Sequence, residues 1–186
     1  MSENAKEWIK DIVCAVIIAV IILQFIMPTV VKEHSMENTF HEGDYLFVSK
    51  MSYKLGKDPV YGDVIVFQSD IVNQDNGSRK LLIKRVIGVP GDTISIDGQT
   101  VYLNGKALDE PYTKDGVTYT HLDEVTVPEG CLFVMGDNRQ NSADSRDMIN
   151  VGFVEMNRVK GKVFLRLFPF NQIGGVYKNI DKNINK

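Results

Sequence analysis

The 186-residue chain is poor in cysteine and histidine, the residues that form zinc sites and, for cysteine, disulfides. Its two cysteines, Cys14 and Cys131, are far apart in the sequence, and we expect no disulfide between them because Cys14 falls within an apolar run. The three histidines, His34, His41 and His121, are scattered. Neither residue type has the spacing of a zinc site, so no metal is predicted.

The chain also lacks an excess of positive charge. It has 21 lysines and arginines against 24 aspartates and glutamates, for a net charge of −3. A general nucleic-acid binder usually carries a basic patch, so this balance argues against nucleic acid as a partner. A charged share of 24% is typical of a folded domain, and the length suffices for one such domain with its own core.

One long apolar run, residues 12–31, contains no charged residue. As a helix it would be roughly 30 Å long, the thickness of a bilayer's hydrocarbon core, with Trp8 at the interface. A cleavable signal peptide would have a shorter apolar region and a small-x-small site after it, so an uncleaved anchor is predicted. Lys6 and Lys10 before the run, against Lys32 after it, favour a cytoplasmic N-terminus.

Beyond the anchor the pattern changes to short β-prone runs separated by turn signals such as Pro90-Gly91-Asp92 and Asn104-Gly105. No long amphipathic helix is predicted there. We therefore predict a mainly β fold, in which a single transmembrane helix precedes a largely antiparallel β domain. The predicted strands are Asp44–Ser49, Asp63–Gln68, Leu81–Ile87, Thr93–Ile96, Thr100–Leu103, Val125–Val127, Cys131–Met135 and Lys162–Phe168.

The predicted organisation has four parts. Residues 1–11 form a short polar lead, 12–31 the anchor, 32–170 the β domain and 171–186 a loose Asn/Lys/Gly-rich tail. Within the domain, the polar and turn-rich segment 69–80 is predicted to be an exposed excursion.

A serine and a lysine carry the first chemical signal. Ser35 lies four residues beyond the apolar run, and Lys84 lies inside a second apolar run, 81–87. Apolar neighbours lower the pKa of a lysine, and a neutral amine can take a proton from a serine hydroxyl. Taken alone, Ser35 could belong to a polar linker and Lys84 to a solvated edge strand.

The segment Gly136–Arg146 carries the second signal. It follows the apolar strand 131–135 and packs carboxylates, amides, guanidinium groups and hydroxyls into eleven residues. Such a set of donors and acceptors suits a polar network that fixes the backbone, although a solvated loop would have a similar composition.

Four segments together resemble type I signal peptidases, the membrane-bound leader peptidases of bacteria. The family patterns are Ser-Met-x-Pro-Thr-Leu, Gly-Asp-Val-Ile-Val-Phe, Lys-Arg-Val-Ile-Gly-x-Pro-Gly-Asp and Gly-Asp-Asn-Arg-x-Asn-Ser-x-Asp-Ser-Arg. The corresponding segments of this chain are 35–40, 62–67, 84–92 and 136–146. Their order and spacing and the N-terminal anchor all match, so the resemblance covers almost the whole chain.

The resemblance implies a membrane-anchored serine endopeptidase that removes signal peptides from exported preproteins. Ser35 would be the nucleophile, Lys84 the general base, and Ser142 would hydrogen-bond the lysine amine and orient it. An acyl-enzyme would form and be hydrolysed by water, and no cofactor is implied. The implied partners are preproteins and the lipid bilayer, with the catalytic domain outside the cytoplasm.

The resemblance also implies supporting and pocket residues. Asp144 and Arg146 would pair to hold the active-site loop, with Asp137 supporting them. The apolar walls of the pockets for small substrate residues, at the first and third positions before the cut, would come from Val31, Met36, Leu82 and Ile83.

The chain departs from the family pattern at three places. Asn38 replaces the usual proline after the nucleophile, and residues 147–151 lack the aromatic residues often found there. Glu33 stands where some members carry a hydroxyl that donates to the oxyanion hole, and an ionised carboxylate cannot donate. The backbone N–H of Ser35 would then be the main donor.

Two other interpretations remain open. Self-cleaving repressors of the DNA-damage response share this dyad and β fold, but they carry a DNA-binding helical domain where this chain has an apolar span. A non-enzymatic anchored domain that scaffolds exported chains would have no use for an apolar-flanked Lys84 matched to Ser35. The sequence predicts neither the individual substrates nor the oligomeric state.

Overall fold

A computed structural model describes residues 3–54, 56–74, 76–174 and 176. It contains one α-helix, α1 (Glu3–Phe25), followed by eleven strands and two short 3₁₀ turns within the described ranges. The strands are β1 (Ile26–Val30), β2 (Tyr45–Ser49), β3 (Val64–Val72), β4 (Arg79–Gly88), β5 (Thr93–Asp97), β6 (Val101–Leu103), β7 (Lys106–Ala107), β8 (His121–Thr126), β9 (Cys131–Met135), β10 (Val154–Glu155) and β11 (Val159–Phe168).

The strands form two antiparallel sheets. The larger sheet has the order β1-β2-β11-β3-β4-β9-β10, and the smaller one has the order β7-β6-β5-β8. The predicted mainly β, antiparallel fold is confirmed. All eight predicted strands are present with end points shifted by a few residues, and β1, β7 and β10 were not predicted.

The N-terminal boundaries differ from the prediction. The helix begins at Glu3, so most of the expected polar lead is helical, and it ends at Phe25 instead of reaching residue 31. Residues 26–30 pair with β2 instead, with Pro28 opposite Phe47. Proline cannot continue a helix and biases the residue before it towards extended backbone, and its missing N–H is tolerated because β1 is an edge strand.

Helix α1 is long and apolar enough to cross a membrane over Asn4–Phe25, and its side chains are almost all exposed. At 1.5 Å per residue these 22 residues extend about 33 Å. Because the helix ends early, Ser35 lies ten residues beyond it, and β1 occupies half of that interval.

Two other predicted segments also change. The predicted excursion 69–80 is shorter than expected, because β3 continues to Val72 and β4 begins at Arg79. Of the predicted loose tail, only 171–174 and 176 lie within the described residues, and Gly174 forms a bridge with Arg166.

The core consists of three apolar clusters. One packs β4 and β9 against the smaller sheet, a second lies under the Ser35 turn, and a third covers the other face of β3, β4 and β9. Strand β4 contributes to all three, so its side chains are held from both faces and Lys84 is placed on a rigid element. Cys14 and Cys131 are free and lie on α1 and β9.

Candidate active site

Ser35 and Lys84, 49 residues apart in the sequence, are brought into hydrogen-bond contact. Lys84 Nζ donates to Ser35 Oγ at 2.6 Å and to the carbonyl of Ile83 at 3.1 Å. Lys84 lies in β4 and is 1% exposed, and Ser35 lies in the turn that follows β1 and is 8% exposed. The pair therefore has nucleophile-to-base geometry in a largely dehydrated setting.

Burial lowers the pKa of Lys84 to about 8. The negative charges of Asp144, Glu33 and Asp137 act in the opposite direction, and the guanidinium of Arg146 lowers the pKa slightly further. Desolvation dominates because it penalises the charged amine directly, whereas none of these charges forms a hydrogen bond with it. A substantial fraction of the amine is therefore neutral near pH 8, as a general base requires.

The turn that carries Ser35 is fixed by hydrogen bonds from the loop after β9. The backbone N–H of Asn138 donates to the carbonyl of Ser35 at 3.0 Å, and its side-chain amide donates to the carbonyl of His34 at 3.1 Å. Gly136 lies so close that a Cβ there would be 2.5 Å from the Ser35 carbonyl oxygen. Only glycine allows this approach, so the turn and the loop form one unit.

Asp144 and Arg146 form the expected ion pair. Arg146 Nε and Nη2 each donate to the carboxylate at 2.8 Å, and the backbone N–H of Gly136 donates to it at 2.9 Å. Burial would raise the pKa of Asp144, but these donors hold it below its usual value. The carboxylate therefore stays ionised and connects the end of β9 to the loop that follows.

Asp137 has a different partner from the expected one. Its carboxylate accepts from Nε and Nη2 of Arg85 at 2.8 and 2.6 Å and from the hydroxyl of Thr39. Arg85 also donates to the carbonyl of Gly62 and lies 4.0 Å from the centre of the Tyr112 ring. The Asp137–Arg85 pair therefore supports the Ser35 turn from beneath, through Thr39, and does not join the Asp144–Arg146 pair.

Ser142 is not hydrogen-bonded to Lys84. Its hydroxyl oxygen is buried, has no hydrogen-bond partner among the described residues, and lies 2.2 Å from where a Cβ on Gly136 would be. It is close enough to the Asp144 carboxylate to help keep the pKa of that group low, although the geometry is not that of a hydrogen bond.

The polar side chains of the loop 136–146 form many of their hydrogen bonds with residues outside the loop. Arg139 donates to Glu110 at 2.5 and 2.7 Å and to the hydroxyl of Thr118 at 2.7 Å. Arg146 also reaches the hydroxyl of Thr120 at 3.3 Å. The sequence indicated the donors in this loop, but nothing in the sequence pattern identified Glu110 as the distant partner.

Ser35 opens into a cavity of about 750 Å³ between two walls. One wall is β1 with the residues up to Met36, and the other is the first half of β4. Glu33 and Lys80 come from opposite walls and form an ion pair of 3.5 Å across the cavity. All four predicted pocket residues, Val31, Met36, Leu82 and Ile83, line it.

Both walls present a strand edge to the cavity. Strand β1 pairs with β2 alone, and β4 pairs with β9 only from Arg85 onward, which leaves 79–83 paired with β3 on one side. An extended peptide can add to such an edge through main-chain hydrogen bonds. In the described part of the chain, no group of three or more His, Cys, Asp or Glu side chains could hold a metal ion.

Comparison with known proteins matches residues 5–168 to the family described as "Signal peptidase, peptidase S26". A signal peptidase I from Bacillus licheniformis is 40% identical over 186 residues, covering 92% of this chain and 95% of that protein. Signal peptidase I T from Bacillus subtilis (strain 168) is 38% identical, with coverages of 90% and 87%. A crystal structure of a signal peptidase I from Enterococcus faecalis V583 is 35% identical and covers 57% of this chain and 97% of that one, with a TM-score of 0.42.

Proposed function

The chain belongs to the signal peptidase family, peptidase S26, and we propose that it is a membrane-anchored serine peptidase that removes signal peptides from exported preproteins with Ser35 and Lys84 as its catalytic dyad. The observation that carries the assignment of the dyad is the 2.6 Å hydrogen bond between Lys84 Nζ and Ser35 Oγ at a buried site. The self-cleaving repressor and the scaffold are not favoured, because the family match extends from residue 5 to residue 168.

The proposed reaction is acyl transfer. Neutral Lys84 takes the proton of Ser35 Oγ as this oxygen attacks the scissile carbonyl of the preprotein. The protonated amine then gives its proton to the leaving amine, which departs as the N-terminus of the mature protein. Water attacks the resulting ester with Lys84 again acting as base, and this step releases the signal peptide and restores the dyad.

The oxyanion of the tetrahedral intermediate is assigned to the backbone N–H of Ser35. Glu33 cannot supply a second donor, because its carboxylate is an acceptor and pairs with Lys80. The hydrogen bonds from Asn138 to the carbonyls of Ser35 and His34 hold this stretch of backbone in place. Asp144, Arg146, Asp137 and Ser142 are positioning residues in this proposal and do not touch the substrate.

The end of the signal peptide is expected to lie between the free edges of β1 and β4. Alternate side chains of an extended peptide point to opposite faces, so the first and third residues before the cut would face the apolar floor. Val31 and Met36 on that floor are at most 4% exposed, and Ile83 packs against the same apolar cluster.

The proposed topology places the N-terminus in the cytoplasm and the β domain outside it. Lys6 and Lys10 precede the apolar part of α1, as the positive-inside rule requires of a cytoplasmic end. Protease added to intact spheroplasts should digest the β domain, and full protection of the domain would refute this topology.

Cleavage of a preprotein in detergent by dyad variants tests the assignment. Ser35→Ala, Lys84→Ala and Lys84→Arg should each lower kcat/KM by roughly three orders of magnitude or more, since each removes the nucleophile or the neutral base. Lys84→Arg is decisive because a guanidinium stays protonated. Ser95→Ala and Lys106→Ala, in the smaller sheet, are the matched controls and should retain activity. Substantial activity of Lys84→Arg would refute the dyad.

A further inference from the structure

A second cavity lies at the foot of the membrane helix, away from the dyad. It has a volume of about 180 Å³ and includes the side chains of three lysines, Lys50, Lys54 and Lys160, and one carboxylate, Asp58. The other residues that line it are Tyr53, Pro59, Met156, Val159 and Gly161. We call it the lysine cavity.

Lys50 fixes this cavity to the end of α1. Its ammonium donates to the carbonyl of Leu23 at 2.7 Å, and its backbone N–H donates to the carbonyl of Phe25 at 2.9 Å. Both carbonyls belong to the last turn of the helix and have no partner within it. The lysine cavity therefore begins at the C-terminal end of α1.

Close backbone packing brings Lys160 to the same place. Gly161 approaches the end of β2 so closely that a Cβ there would be 2.3 Å from the carbonyl oxygen of Ser49. Lys50 follows Ser49 directly, and Lys160 precedes Gly161. The close contact thus brings lysines from two distant parts of the sequence to one cavity.

None of the three lysines has a carboxylate partner among the residues that the structure describes, and the ammonium of Lys50 is bound to the carbonyl of Leu23. Lys54 and Lys160 are exposed, and neither forms an ion pair within the described ranges. Lys162, two residues further along β11, is by contrast paired with Asp63 at 2.5 Å. The three lysines carry three positive charges and Asp58 carries one negative charge, so the cavity has an excess of two positive charges.

We propose that the lysine cavity binds the phosphate of an anionic phospholipid headgroup in the leaflet where α1 ends. The volume corresponds to about six water molecules at roughly 30 Å³ each, enough for a phosphodiester group. Basic side chains at this depth attract anionic headgroups, and each adds roughly a fivefold factor to the affinity. The acyl chains would lie along the exposed apolar side chains of α1. The proposal rests on membrane anchoring by α1 and not on the catalytic chemistry.

Native mass spectrometry of the full chain in an uncharged detergent, titrated with phosphatidylglycerol, tests the proposal. The wild type should bind a first lipid with an affinity that falls about 25-fold in K54Q/K160Q. K54R/K160R keeps both charges and should bind as the wild type does. K106Q, a lysine of the smaller sheet, is the matched control and should not change the affinity. Thermal unfolding of each variant checks its folding.

Three results would overturn the proposal. The first is equal affinity of the wild type and K54Q/K160Q, and the second is an equal loss in K106Q, which would indicate unspecific charge attraction. The third is displacement of the lipid by millimolar inorganic phosphate, which would make free phosphate the ligand. Phosphatidylcholine should bind more weakly and equally to all variants. If S35A binds the lipid as tightly as the wild type does, lipid binding at the lysine cavity does not depend on the proposed catalytic dyad.

Discussion

At the scale of single residues, Lys84 is deeply buried, and the groups around it only weakly offset the free-energy cost of burying its positive charge. Lys84 is 1% exposed, its ammonium donates to a hydroxyl and a carbonyl, and no carboxylate is in hydrogen-bond contact with it among the described residues. A buried lysine with an ion-pair partner would keep its proton, whereas Lys84 loses its proton more readily because two neutral acceptors replace only part of the hydration of its charged form.

The first prediction concerns the pH profile. Because the pKa of Lys84 is lowered to about 8, kcat/KM should rise with pH through about 8 and then level off. Near pH 7 only about one active site in ten would have a neutral lysine. The measurement is kcat/KM for a peptide substrate between pH 5 and 10. A single limb near pH 4 would point to a carboxylate as the base instead.

Glu33 should tune this profile from the cavity wall. Its negative charge raises the pKa of Lys84, so Glu33→Gln should lower that pKa and move the rising limb to lower pH. Near neutral pH, the variant should therefore reach a larger fraction of its plateau kcat/KM than the wild type does. The position of the limb is the readout, since its height also depends on substrate binding. A limb that moves to higher pH would contradict the electrostatic explanation.

At the scale of elements, the Ser35 turn and the loop after β9 depend on one another. The loop supplies Asn138 as a double donor and Gly136 as a close neighbour, and its own backbone is held by the Asp144–Arg146 pair. These groups set the position of Ser35, the proposed nucleophile, without taking part in the proposed chemistry. A shift of about 1 Å in such a position is enough to reduce catalysis severely.

Gly136→Ala tests this dependence without removing a functional group. The new Cβ would lie 2.2 Å from Ser142 Oγ and 2.5 Å from the Ser35 carbonyl oxygen, so the two segments must separate. We expect a loss of about 1–3 kcal/mol in the free energy of unfolding and a fall in kcat larger than the change in KM. Chemical denaturation and steady-state kinetics measure the two effects.

The double variant Gly136→Ala/Ser142→Ala is the control for this prediction. It removes the contact with Ser142 Oγ but keeps the contacts with the Cβ of residue 142, at 2.6 Å, and with the Ser35 carbonyl oxygen, so stability should recover only in part while kcat stays low. Full recovery of kcat would show that the close approach to Ser35 is unimportant.

At the scale of the whole molecule, the anchor and the β domain share a boundary at Phe25. Strand β1 belongs to the larger sheet, and Val31 after it is 4% exposed in the cluster under the Ser35 turn. Removal of residues 1–25 therefore takes away the anchor alone, whereas removal of 1–31 also takes away an edge strand and a core side chain.

The two truncations should accordingly behave differently. The chain starting at residue 26 should fold and cleave a short soluble peptide nearly as well as the full chain, but process a membrane-inserted preprotein poorly, because the anchor supplies local concentration and orientation. The chain starting at residue 32 should unfold at lower denaturant and lose activity on both substrates. The comparison is kcat/KM for both substrates in lipid vesicles. If the chain starting at residue 26 lost kcat/KM equally on both substrates, the anchor would have to shape the active site.

The sequence by itself determined the local features of this protein. Strands appear where β-prone runs lie between turn signals, and the motifs around Ser35 and Lys84 identify the nucleophile and base candidates and the family. These features depend on a few neighbouring residues, so their signal is contained in the residues themselves. The apolar run predicted an anchor for the same reason, but the absence of charge did not locate the helix end, because Ile26–Val30 continues the uncharged run and Pro28 alone marks the change to extended backbone.

The tertiary structure decided which distant groups meet. It pairs Ile26–Val30 with β2, Asp137 with Arg85, and Arg139 with Glu110 across 29 residues. The tertiary structure alone also determines how deeply Lys84 is buried, and this burial lowers the pKa of Lys84 to about 8. A buried charge takes the nearest opposite charge in space, and that nearness depends on how the sheets pack and not on spacing along the chain.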